Sequence, residues 1–120
     1  MSSPADTLVI HVDDQPRSLF MSFGLLHELL RVIGDLPQVS VIAIDPDLRE
    51  KVLVLVLSER DVEGTVVKAF PFYTARLSRT DIQAILQWVG EHALDFFLTA
   101  MERTVSVHEP HKARLHRVET

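Results

Sequence analysis

SRTDIQAILQWVGEHALDFFLTAMER, residues 78–103, sets the architecture of this chain. Ile82, Ile85, Leu86, Val89, Ala93, Phe96, Phe97 and Ala100 recur at three- and four-residue steps, the spacing of one face of an α-helix. The periodicity predicts a helix over 79–103. Ser78 is its N-cap, with Asp81 as a weaker form of the capping box. Gly90 falls inside the helix at a cost of about 1 kcal/mol relative to alanine, which points to a close crossing with another element. Trp88 and Tyr73 are single aromatics and read as core.

Upstream, Asp45-Pro46-Asp47 is a helix start. Aspartate caps, proline suits the first helical position, and a second acid favours the positive helix end. A helix over 46–59 follows, and its run Val52 to Leu57 is apolar all round, so burial on most sides is expected. Before it, Ser22 caps a helix carrying Phe23, Leu26, Leu29, Leu30 and Ile33 on one stripe, and Gly34 ends it. Pro37 is expected to prevent a quick restart. Val39 to Ile44 fits either a strand or a buried helical turn. At the start, Thr7 to Val12 alternates, with Leu8, Ile10 and Val12 on one face. Asp13-Asp14-Gln15-Pro16 turns the chain, and Arg17 to Met21 returns as a second strand.

After the second helix, Asp61 to Gly64 is a polar break and Thr65 to Phe70 a short extended piece. Residues 71–77 are irregular, with Phe70, Phe72 and Tyr73 as anchors onto the core. The fold class is therefore α+β and mainly α-helical: an N-terminal β-hairpin, three helices and an extended C-terminal tail. Residues 1–103 form one globular domain, with the hairpin at 7–21 and a helical body at 22–103. Residues 104–120 form an extension. There the apolar positions thin out, Pro110 is expected to break any helix, and ordering against a partner is anticipated.

Composition narrows the function. The chain has 120 residues, 47% hydrophobic and 24% charged, with net charge −5. A general nucleic-acid binder needs a basic surface to displace counterions from phosphate, so none is expected. There is no cysteine, which excludes disulfides, thiol nucleophiles and thiolate metal sites. The longest near-continuous apolar run is Val52 to Leu57, too short for a bilayer, and no basic segment followed by an apolar one suggests a secretory signal.

The chemistry-bearing residues fall into separate clusters. His108, His111 and His116 are three of the six histidines, but no acidic pair completes a ligand set. His27-Glu28 opens like the zinc-protease motif, yet position 31 is arginine. Glu28 and Arg31 read instead as a surface ion pair. Glu91, His92 and Asp95 stand at one-turn spacing, a polar face unless a cleft buries them. The clusters at Asp13-Asp14 and at Asp45, Asp47 and Glu50 lack the pattern of a calcium loop and read as turn and cap. Between Arg103 and Arg117 four basic residues face one acid, a modest solvated run. No catalytic residue, metal site or cofactor is assigned. What remains is apolar: Phe20, Met21, Phe23, Phe72, Phe96, Phe97 and Met101 need not all fit one small core. Phe23, Leu26, Leu30, Phe97 and Met101 are the expected partner-binding residues of a protein that works by contact.

The order of elements carries a resemblance. A hairpin precedes Ser22-Phe23-Gly24-Leu25-Leu26, and the first helix ends at Gly34-Asp35. Asp45-Pro46-Asp47-Leu48-Arg49 leads into the leucine-rich run to Leu57-Ser58-Glu59-Arg60-Asp61, with Gly64 beyond. Leu77-Ser78 introduces Asp81, Trp88-Val89, Glu91-His92 and Asp95-Phe96-Phe97. Over residues 7–103 this resembles the small tail assembly chaperones of tailed bacteriophages. The resemblance implies a non-enzymatic protein that binds the tape measure protein and keeps it soluble while tail tube subunits assemble. It implies action in the host bacterial cytoplasm; a homo-oligomer is a further expectation, and the charge balance and short apolar runs point away from nucleic acid and membrane as partners. The alternative is a structural virion protein of the tail or baseplate. The Gly-free hairpin turn and the histidine-containing tail depart from the family pattern.

Overall fold

The computed structural model describes the backbone of residues 3–119 and the side chains of residues 3–102. Strands β1 (Thr7–Val12) and β2 (Gln15–Phe20) pair antiparallel from Thr7↔Phe20 to Val12↔Gln15. Side chains alternate across a strand, so Leu8, Ile10, Val12, Arg17 and Leu19 share the inward face. Thr7, Val9, His11, Ser18 and Phe20 share the outward one. The two-residue loop has positive φ at both Asp13 (51°) and Asp14 (65°), the mirror-image turn that matches strand twist. Aspartate tolerates this region better than most residues, so the turn closes without glycine. The Asp13 amide donates to the Arg76 carbonyl at 2.9 Å, and Arg76 returns its amide to Asp13 Oδ1 at 2.7 Å. The turn is thereby clasped to the chain entering the last helix.

Helix α1 (Phe23–Ile33) starts as expected: Ser22 Oγ accepts from the Leu25 amide at 3.1 Å, and Gly34 closes it at φ 93°. Leu25, Leu29 and Ile33 are buried. The ambiguous stretch Val39 to Ile44 is not a strand: its first half belongs to a 3₁₀ segment, Leu36–Val41, with Pro37 in the opening positions, and residues 42–44 continue as a turn. Pro37 does not delay a restart here. Its fixed φ and missing N–H suit the opening residues of a new turn, where no donor is needed.

Helix α2 (Pro46–Leu57) is capped by Asp45, whose Oδ1 accepts from Asp47 at 2.9 Å and Leu48 at 3.4 Å. Val52, Leu53, Val56 and Leu57 are buried. Helix α2 stops two residues short of its expected end. Glu59–Arg60 turns into strand β3, which pairs with β4 (Val66–Lys68). The polar break is the loop of this small hairpin. Asp61 Oδ1 accepts from Glu63 and Thr65 at 2.9 and 3.0 Å, and Gly64 takes φ 88°. At the junction, Ser58 Oγ donates to the Val54 carbonyl at 2.6 Å and accepts from the Phe70 amide at 3.1 Å.

Helix α3 begins at Arg79, where the Asp81 amide meets Ser78 Oγ at 3.0 Å. The Asp81 carboxylate does not close a capping box. It reaches across to the His11 amide at 3.1 Å and ties β1 to α3. The helix then runs to Glu119, through Pro110 and past its expected end near Arg103. A proline removes one backbone bond and strains the turn before it, a penalty of about 3 kcal/mol that does not by itself oblige a long helix to stop. The side chains of the histidine-containing tail, His108, His111 and His116 among them, lie outside the described residues.

The core sits where the inward face of the first hairpin, α1, α2 and α3 meet. Ile10, Leu29, Val52, Leu57, Ile85 and Val89 are its most enclosed members. Trp88 is buried as expected, and its indole N–H donates to the Ala5 carbonyl at 2.7 Å. Gly90 faces the 3₁₀ segment, but not tightly. A Cβ there would stand 3.8 Å from Ile42 Cδ1 and 3.9 Å from Val39 Cγ1, ordinary contact distances. The crossing does not demand glycine. Gly90→Ala is expected to raise stability by about 0.5–1 kcal/mol through helix propensity, read as a higher thermal midpoint.

Candidate protein-binding surface

Capping by Ser22 fixes where α1 begins and places Phe23 at its first position, outside the core. Phe23 is 76% exposed. One turn on, Leu26 packs partly against the core, as do Leu30 and, from α3, Phe97. Ala93 is fully buried, and the face turns outward from there, leaving Phe96 37% and Met101 54% exposed. Phe96 and Phe97 meet edge to face at 6.1 Å. The start of α1 and this stretch of α3 enclose a groove of about 350 Å³ lined by Phe23, Leu26, His92, Asp95, Phe96 and Ala100.

Of the five residues expected to bind a partner, the structure brings Phe23 and Leu26 into this groove. Leu30 and Phe97 lean on the core and Met101 lies one turn beyond Phe97; none of the three lines the groove. Phe96 joins the groove instead. Its helical spacing from Ala93 put it on the inner stripe, although the same spacing also allows the stripe's edge. The leftover apolar inventory divides accordingly: Met21 is buried and Phe72 half-buried, whereas Phe20 and Phe23 are exposed. On the first hairpin, Val9 and Phe20 lie diagonally across the outward face and are 62% and 61% exposed.

Of the polar trio on α3, His92 and Asp95 line the groove, while Glu91 and His92 are also tied into the fold. His92 Nε2 lies 2.7 Å from the Ala5 carbonyl, which can only accept, so that nitrogen is the donor. Trp88 donates to the same oxygen, and the two rings meet edge to face at 5.4 Å. Together they pin the N-terminal segment. Glu91 accepts from Gln87 at 3.1 Å. Among the described residues no group of three or more His, Cys, Asp or Glu side chains is placed to hold a metal ion. Among them, too, no helix is long and apolar enough to cross a membrane.

Two further expectations are corrected. Glu28 does not pair with Arg31; its partner is Arg60, at 2.6 Å. Arg60 also donates to the Gly64 and Leu55 carbonyls at 2.9 and 3.3 Å, so one guanidinium joins α1, α2 and the second hairpin. An arginine fork with several fixed acceptors holds a carboxylate better than a neighbour on the same helix. Tyr73 is no core anchor. It is exposed, touches Phe72 edge to face at 5.1 Å, and donates its hydroxyl to Glu50 Oε1 at 3.0 Å. That hydrogen bond, with the charges of Glu50 and Asp47, raises the phenol above its ordinary value of 10.0. The chain has one tyrosine, so an ultraviolet titration reads it directly. The midpoint is expected above 10 and should fall back toward it in Glu50→Gln. On the inward face of β2, burial lowers the Arg17 pKa, with Glu59 opposing the shift.

Comparison with protein-family models, curated proteins and solved structures finds no match to this chain. The geometry of the surface stands by itself. It is an apolar groove with aromatic walls, a histidine and a carboxylate on its rim, and further apolar side chains exposed beyond it. Aromatic anchors in a groove between helices suit an amphipathic helix laid along it.

Proposed function

We propose that this protein is a non-enzymatic assembly chaperone of a tailed bacteriophage. It binds amphipathic helical segments of the tape measure protein in the host cytoplasm and keeps them from self-associating while tail tube subunits polymerise. The observation that supports this reading is the exposed Phe23 beside Phe96 at the mouth of the α1–α3 groove. Fully covering an exposed aromatic side chain is worth roughly 1.5–3 kcal/mol, of which Phe23, 76% exposed, can return most to a partner helix and Phe96, 37% exposed, a smaller share.

The experiment is co-expression with the long helical gene of the same tail cluster. The tape measure protein should become soluble and co-purify, and Phe23→Asp with Phe96→Asp should abolish both while the variant itself stays folded. A tape measure protein equally insoluble with or without this chain would overturn the proposal. A permanent tail or baseplate subunit is the second reading, favoured by the continuation of α3 to Glu119, an arm suited to locking a neighbour. Mass spectrometry of purified particles separates the two: a subunit is present in fixed stoichiometry, a chaperone scarce or absent.

A further inference from the structure

A second groove, sharing no residue with the first, lies between the 3₁₀ segment, α2 and α3. It holds about 750 Å³, and its floor is apolar: Val39, Ile42, Leu53, Phe72, Ile82 and Leu86. Along α3 it extends from Arg79 to Gly90, about 16 Å or three helical turns at 1.5 Å per residue. Its charge is one-sided. Arg49 and Arg79 line it and no acidic side chain does, in a chain whose net charge is −5.

Neither arginine has a carboxylate partner among the described residues. Arg79 opens α3, where the helix dipole favours an acid and disfavours a cation. Its side chain makes no ion pair or hydrogen bond among the described residues. Arg49 donates only to the Ala43 carbonyl, at 3.2 Å, and no carboxylate pairs with it among them. An apolar floor three turns long, with unpaired guanidiniums on its rim, complements one kind of ligand. We infer that this groove binds an amphipathic helix of another protein whose apolar stripe is flanked by glutamate or aspartate. The apolar positions at i, i+4 and i+7 would fill the floor, and the flanking carboxylates would meet Arg49 and Arg79. The partner's acids also steer its approach, so binding weakens with salt.

The test uses the full chain and two stapled helical peptides of about four turns with the same leucine stripe, one flanked by glutamate and one by lysine. Fluorescence anisotropy is expected to show saturable binding of the glutamate peptide and binding of the lysine peptide at least tenfold weaker. Arg49→Glu with Arg79→Glu should reverse that preference. Arg79→Gln, at an exposed position without partners, should weaken the glutamate peptide several-fold with the circular dichroism unchanged. Phe23→Asp should leave this binding intact, which separates the groove from the proposed tape measure surface. Equal affinity for both peptides, no binding of either, or indifference to the arginine substitutions overturns the inference. So does a self-associated form of the chain, seen by sedimentation, that Arg79→Glu dissolves, since the groove would then be occupied by a second copy.

Discussion

Ile85→Ala is expected to destabilise the protein by about 2–5 kcal/mol, a large part of the 5–15 kcal/mol that holds a typical domain. Ile85 has no exposed surface and lies on the stripe of α3 that continues through Val89 and Ala93, both also fully enclosed. Truncation removes the transfer energy of the lost carbons and leaves a cavity, because neighbours from several elements cannot all close in. Ile85→Val, which removes one methylene, should cost about 0.5–1.5 kcal/mol. Phe96→Ala, on the same helix but at its partly exposed edge, should cost clearly less, about 1 kcal/mol, the loss being mainly its edge-to-face contact with Phe97. Urea unfolding followed by the fluorescence of the one tryptophan, itself buried, measures all three. If Ile85→Ala were no worse than Phe96→Ala, the inner face of α3 would be wrongly assigned.

That contrast also marks what a sequence of this kind makes legible. Periodicity reports a helix and its average face, so the buried stripe of α3, the caps at Ser22 and Asp45, and the inward side of β1 could be read directly. The α+β fold, hairpin first and helices after, follows from those local signals. Periodicity does not report where a face ends. Phe96 counts as inside by spacing and stands at the mouth of a groove by geometry, because the core ends at Ala93 and none of residues 94–102 is buried. Proline is a weaker signal than its reputation as a helix breaker suggests. Pro37 opens a 3₁₀ turn and Pro110 lies within α3, since proline constrains one torsion and one donor and leaves the outcome to the turn around it. Long-range pairing was the least accessible. Glu28 has an obvious partner one helical turn away in Arg31, and nothing in the local sequence says that Arg60 will be carried to within 2.6 Å of it. Likewise the groove carrying Arg49 and Arg79 exists only once α2 and α3 are packed.

Ser58 is the sharpest case of a residue whose weight is tertiary. It reads as an ordinary polar residue after a leucine-rich run, yet it is the one buried polar side chain among the described residues, 6% exposed. Four bonds converge on it. Its amide and hydroxyl both donate to the Val54 carbonyl, ending α2; its hydroxyl oxygen accepts from Phe70; and its carbonyl accepts from Arg17 Nη2 at 3.4 Å. Ser58→Ala keeps the backbone bonds and deletes the acceptor for the Phe70 amide. A fully buried amide left without an acceptor costs about 1–3 kcal/mol; the Phe70 amide is part-buried, so the variant should lose about 1 kcal/mol, the lower end of that range. Ser58→Val should be worse, since two methyl groups enter a space shaped for a hydroxyl and the amide stays unpaired. Ser40→Ala serves as control. Its hydroxyl donates to the Pro37 carbonyl at 3.2 Å on the exposed surface, and water replaces that donor, so a change within about 0.5 kcal/mol is expected. Hydrogen exchange gives the site-resolved reading: the Phe70 amide should lose protection in Ser58→Ala while amides at the centre of α3 keep theirs. If Phe70 exchanged at the same rate in both proteins, its amide would have another acceptor. The junction of α2, the first hairpin and the chain leaving β4 would then not depend on this hydroxyl.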